Sequence, residues 1–145
     1  MSHWKNSITI FNHAIRVTDK KYPNFAVIYN NLGIALFADR KNEEAISHFK
    51  MAIKLKPTHT KAYYNLGIAL FADRKNEEAI SHYKMAIKLN PNLTDAHYNL
   101  GVILLQKGEI KEAVYHFRKT LRLRPGFIRA RDHLELALIR SQEIK

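Results

Sequence analysis

The chain is expected to be an all-α solenoid of antiparallel helix hairpins, and three observations lead there. The phrase NLGIALFADRKNEEAISH occurs twice, at 31–48 and 65–82. When 26–59 is laid on 60–93, 26 of the 34 paired residues are identical. A looser third copy at 94–127 keeps AHYNLG, then EA, then LRP in step. A constant period of this kind marks a stack of supersecondary units, each too small to bury its apolar face alone.

The organisation follows from the register. Residues 1–25 read as a half repeat and its connection, 26–59, 60–93 and 94–127 as three full repeats, and 128–145 as a capping helix, all within one domain. In the half repeat, Trp4, Ser7, Phe11 and Ala14 align with Asn42, Ala45, Phe49 and Ala52, which makes it a second helix lacking its first. The offset there implies extra residues around Lys20–Phe25. A chain that starts on a half repeat suggests a piece of something longer.

Within the second unit, Tyr63, Leu66, Gly67, Leu70 and Phe71 recur at three- and four-residue steps and form the apolar stripe of a first helix, A. That stripe stops at DRKN. Asn76 then stands where an N-cap is expected, with Glu77 and Glu78 favourable to the helix dipole. Helix B carries Ala79, Ile80, Tyr83, Ala86, Ile87 and Leu89 and ends before Pro91. Counting Ala26 as position 1, position 8 is always glycine (Gly33, Gly67, Gly101) and position 20 always alanine (Ala45, Ala79, Ala113). These small residues are expected to face one another across the hairpin. Position 24 is always aromatic (Phe49, Tyr83, Phe117) and is expected to fill space between neighbouring hairpins. In the cap, Ile128, Leu134 and Leu138 repeat the apolar positions and no second helix follows, as in a solvating last helix.

This pattern resembles the tetratricopeptide repeat over nearly the whole chain. The matching residues include Tyr29, Tyr63 and His97, then Leu32, Leu66 and Leu100, then Pro57, Pro91 and Pro125. The resemblance implies a right-handed superhelix with A helices lining an inner groove. The turn glycine after helix A survives as Gly108 but is Arg40 and Arg74 in the other copies. If those arginines are left-handed, each costs roughly 1 kcal/mol relative to glycine. The NLG triplets also resemble repeats of O-GlcNAc transferase and related bacterial proteins, where inner-groove asparagines grip substrate peptide.

Catalytic chemistry is not evident. There is no phosphate-cradling glycine loop, no HExxH, no carboxylate cluster on one helix face and no cysteine. No enzyme activity, cofactor or metal is expected. His48, His82 and His116 occupy one position in successive units, at the ~8–10 Å spacing of packed helices, too far apart to share a metal.

The inner groove is the expected site. Asn31, Asn65 and Asn99 hold one position in all three repeats, and a carboxamide offers both donor and acceptor to an extended peptide backbone. Asn30, Tyr64, Tyr98, Lys61, Phe37 and Phe71 extend that site, the aromatic rings serving as anchor pockets or as core. The family's lysine and asparagine clamp for a terminal carboxylate is missing. Those positions hold Asn30, Tyr64 and Tyr98, and Ile34, Ile68 and Val102.

Net charge is +11. Lysines near the ends of the B helices satisfy helix dipoles, while Arg118, Lys119, Arg122, Arg124, Arg129 and Arg131 crowd the third B helix and the cap. That basic patch would suit an acidic partner, anionic membrane or nucleic acid. Nucleic acid is disfavoured because aromatic residues are not clearly interleaved on the same face. No apolar run approaches ~20 residues, so no transmembrane segment is expected. The opening MSHWKNS lacks a secretory leader. Compartment is unassigned: cytoplasmic by default, extracytoplasmic for the tail of a membrane protein.

The leading function is a non-catalytic protein–protein interaction module that binds an extended peptide or partner protein in the groove. The alternatives are a substrate-recruiting arm of a larger glycosyltransferase-like protein and a basic surface for nucleic acid or membrane. The near-identical repeats also allow hairpins to exchange, or open ends to stack, into a homodimer.

Overall fold

The computed structural model describes residues 3–17 and 25–143. The longer connection expected at Lys20–Phe25 falls almost wholly outside them, as does the side chain of Trp4. Among the described residues there are eight helices and no strand: α1 His3–Val17, α2 Phe25–Ala38, α3 Asn42–Leu55, α4 Thr60–Ala72, α5 Asn76–Leu89, α6 Thr94–Lys107, α7 Ile110–Leu123 and α8 Ile128–Glu143. The protein divides into two compact units, Met1–His82 and Tyr83–Lys145.

In the first unit, α2 packs against α1, α3 and α4, and α3 packs against α4. Phe25, Leu32, Leu36, Phe49, Leu66 and Leu70 are almost completely removed from solvent there. Each fully buried apolar side chain of this kind contributes about 1.5–3 kcal/mol before entropy is counted. In the second unit, α7 lies against both α6 and α8, around Leu100, Ile103, Leu104 and Phe117. Thr120 stands where the other repeats have alanine and is fully buried; its hydroxyl donates to the His116 carbonyl at 2.9 Å.

The turn between paired helices is made the same way three times. Arg40 (φ 61°), Arg74 (φ 59°) and Gly108 (φ 82°) all adopt the left-handed conformation. The next residue's N–H then reaches back to close the helix end: Lys41 to Leu36, Lys75 to Leu70 and Glu109 to Leu104, each at 2.9 Å. This turn corrects the expected cap. The Lys41 and Lys75 carbonyls accept the first bonds of the following helices, from Ala45 and Ala79, so Asn42 and Asn76 are the first helical residues and not the caps.

The glycine of helix A faces a ring, not an alanine. A Cβ on Gly33 would lie 2.6 Å from Phe49 Cε1, and one on Gly101 would lie 2.8 Å from Phe117 Cε1. The position-24 aromatic therefore packs against helix A of its own hairpin, and Phe117 also meets His133 of the following helix as expected, with ring centroids 5.6 Å apart. Alanines 45 and 113 are fully buried beside it.

The capping helix is less polar outside than expected. Glu135 is exposed, but so are Ile128 (67%), Ile139 (55%) and Leu136 (40%).

Candidate functional site

The exposed face of α2 carries Val27 (45%) and Ile34 (46%), with half-buried Asn31 between them at helical spacing. On α4 the equivalent positions hold exposed Lys61 and half-buried Asn65 and Ile68. Phe37 and Phe71, one position beyond this face, are half-buried. Ile34 is not among the expected site residues, although position 9 is aliphatic in every repeat (Ile34, Ile68, Val102) and carries that signal.

A buried residue joins the asparagines of the first unit. Asn30 is only 3% exposed; its Oδ1 accepts from Asn65 Nδ2 at 2.9 Å, and its Nδ2 donates to Asn31 Oδ1 at 3.4 Å. The result is a three-carboxamide relay across two adjacent A helices. Its outer ends, Asn65 Oδ1 and Asn31 Nδ2, have no protein partner among the described residues. Flipping all three amides would exchange the two ends and still leave one acceptor and one donor. These are the two functions a peptide group needs.

The second unit repeats the link with different chemistry. Tyr98 replaces Asn30, and its hydroxyl lies 3.4 Å from His133 Nδ1, which sits in the cap at the position of Asn65. Tyr98 is 9% exposed and packs on Phe127 at 4.8 Å and Phe117 at 6.2 Å. It is a core ring with a polar tip. Asn99 donates to the Tyr83 hydroxyl at 3.4 Å. Tyr64, on α4, is half-buried. His133 carries little signal in the sequence because the cap keeps only the leucine of the NLG phrase, as Leu134.

The expected basic patch separates into two groups. Arg124 pairs with Asp95 at 3.2 Å and lies over the Phe127 ring, Arg129 lies over Tyr98 and Phe127, and Arg131 donates to the Pro125 carbonyl at 3.4 Å. These three bind the α7–α8 connection to its surroundings. Arg118, Lys119 and Arg122 instead line a surface cavity of about 320 Å³ on α7.

The position-23 histidines lie against the position-4 ring of their own hairpin: Tyr29 with His48 at 5.7 Å, Tyr63 with His82 at 6.0 Å, and His97 with His116 at 5.2 Å. In the last pair both rings are imidazoles, with Nδ1 atoms 3.0 Å apart. His97 Nε2 is 2.9 Å from the Pro91 carbonyl, which can only accept, so that nitrogen carries the proton. Neutral His97 then accepts at Nδ1 from His116. Burial, followed by the nearby His97 and Lys84, pushes His116 down to about 4. Burial also lowers His97, aided by Lys119 and opposed by the hydrogen bond to Pro91. Among the described residues, no three metal-ligating side chains converge.

No helix of the described residues is long and apolar enough to cross a membrane. Models of the tetratricopeptide repeat match residues 26–59, 94–127 and 48–81, and a TPR repeat model matches 75–108. A search of curated proteins finds no match. Among solved structures, a crystal structure of MamA is similar with a TM-score of 0.84 and 30% identity, over 92% of this chain and 76% of that one. The first TPR of Spaghetti (RPAP3), bound to the HSP90 peptide SRMEEVD, gives 0.78 at 24% identity, over 85% and 95%. YrrB, described as a TPR protein with an unusual peptide-binding site, gives 0.76 at 23% identity, over 88% and 63%. With three helix hairpins in register and family models running without a gap from 26 to 127, this chain belongs to the tetratricopeptide repeat family.

Proposed function

We propose that the protein is a non-catalytic interaction module that holds an extended segment of a partner protein against the exposed face of its A helices. The observation that carries this reading is the Asn31–Asn30–Asn65 relay, which offers one donor and one acceptor at its outer ends. A peptide carbonyl and a peptide N–H satisfy that pair without regard to side-chain identity. Val27 and Ile34 flank Asn31 and give apolar ligand side chains a place to rest. Asn99 continues the same register in the third repeat. Two proteins of this fold are described with peptide ligands or sites. In this chain Asn30 and Tyr64 occupy the place of a carboxylate-binding lysine, which favours grip on the backbone over grip on an acidic terminus.

The test is selection from a display library of random linear peptides about a dozen residues long, followed by fluorescence anisotropy on the selected binders. The triple substitution Asn31→Ala, Asn65→Ala and Asn99→Ala should weaken binding tenfold or more while the helical circular dichroism signal persists. Undiminished affinity in the triple variant would remove the groove from consideration.

A further inference from the structure

The exposed face of α7 carries chemistry found on neither of the other complete B helices. Lys111, Tyr115, Arg118 and Arg122 recur at i, i+4, i+7 and i+11, a stripe roughly 16 Å long, with Val114 and Lys119 beside it. Together these six residues line the 320 Å³ surface cavity. Tyr115 is 61% exposed and stands edge-on to His116, with ring centroids 5.0 Å apart. None of the four cations has an acidic partner among the described residues. The nearby acids are engaged elsewhere, Glu112 with Lys84 at 3.3 Å and Glu109 with Lys107 at 2.8 Å.

The repeat supplies its own comparison. Where α7 has Lys111, Tyr115 and Lys119, the first repeat has Glu43, Ser47 and Met51, and the second has Glu77, Ser81 and Met85. Packing does not require the change, since α3 and α5 form the same helix with the other residues. All three changes add positive charge or aromatic surface on the outward side. An aromatic ring interleaved with cations on one face is what the sequence alone did not make evident.

We propose that this face of α7 binds single-stranded nucleic acid, the cations following the phosphate backbone and Tyr115 stacking on a base. An acidic peptide would satisfy the cations but leave the ring uncovered. An anionic bilayer would call for large aliphatic side chains beside the cations, and Val114 is the sole aliphatic residue lining this cavity. The site lies on a B helix and shares no residue with the peptide site proposed on the A helices.

The experiment titrates the full chain into a fluorescein-labelled oligothymidylate of about 15 nucleotides at several salt concentrations. Saturable binding is expected, with log affinity falling against log salt at a slope of about −2 to −3 for four phosphate contacts. The combined substitution Lys111→Glu, Tyr115→Ser and Lys119→Met installs residues already carried by the equivalent helices, and it should lower affinity at least tenfold. Tyr115→Ser alone should cost about tenfold and leave the salt slope unchanged. Lys54→Glu with Lys56→Met removes the same net charge from the first unit and should have little effect. The proposal is overturned if the two charge-matched variants weaken binding equally, since net charge alone would then be responsible. It is also overturned if polyglutamate competes as well as unlabelled oligonucleotide, or if phosphatidylserine vesicles bind and the oligonucleotide does not.

Discussion

Asn65 on α4 donates across 2.9 Å to Asn30 on α2, and this bond gives a nearly buried carboxamide the partner it needs. An unpaired buried acceptor costs about 1–3 kcal/mol. Asn65→Ala is therefore expected to lower stability by about that amount, and Asn31→Ala by less, because its bond to Asn30 is longer, at 3.4 Å. Urea denaturation of the two single variants checks the order.

Phe49 lies where a Cβ on Gly33 would have to go, 2.6 Å from its ring. Gly33→Ala should cost about 1–3 kcal/mol through overpacking, and shortening the ring with Phe49→Leu should recover part of the loss. A double-mutant cycle on thermal unfolding measures that coupling. An additive result would show that the two residues do not act through this contact.

The left-handed arginines are the reverse case. Arg40→Gly and Arg74→Gly should each stabilise by about 1 kcal/mol, because glycine adopts a positive φ without the Cβ clash. Gly108→Arg should destabilise by a similar amount. Melting temperatures of the three variants, measured side by side, test this.

Stability should fall on mild acidification. His116 titrates near 6.5 when unfolded and is pushed down to about 4 when folded, so the unfolded chain binds the extra proton between those values. The loss begins as the pH drops through about 6.5 and is complete near 4, reaching at most about 3 kcal/mol from this group. Protonating His97 adds a second penalty, because two N–H groups would then face each other across 3.0 Å. His97→Tyr restores the tyrosine–histidine pairing of the other two hairpins and should remove that part. Melting curves at pH 7, 6 and 5 would show it.

Much of the fold was legible because it is written several times. The period, the proline breaks and the recurring leucines and alanines state which faces must be buried, and stacking is the only way such short hairpins can bury them. Even the left-handed turn was readable, since Gly108 marks in one copy what Arg40 and Arg74 do in the others.

Partners across the stack were not legible. Periodicity assigns a residue to a face but does not say which neighbour lies opposite. Periodicity therefore sets Gly33 opposite an alanine where a ring covers it, and sets Asn30 on a binding surface where it is the buried middle of a relay. Likewise, six basic residues close in sequence formed one apparent patch until Phe127 and Asp95 drew part of it into the fold. The sequence by itself determined the repeat, its helices and the absence of cysteine chemistry. The tertiary structure alone decided which polar groups are satisfied internally and which remain for a ligand, because hydrogen bonds of about 3 Å depend on side-chain positions that no repeat pattern specifies.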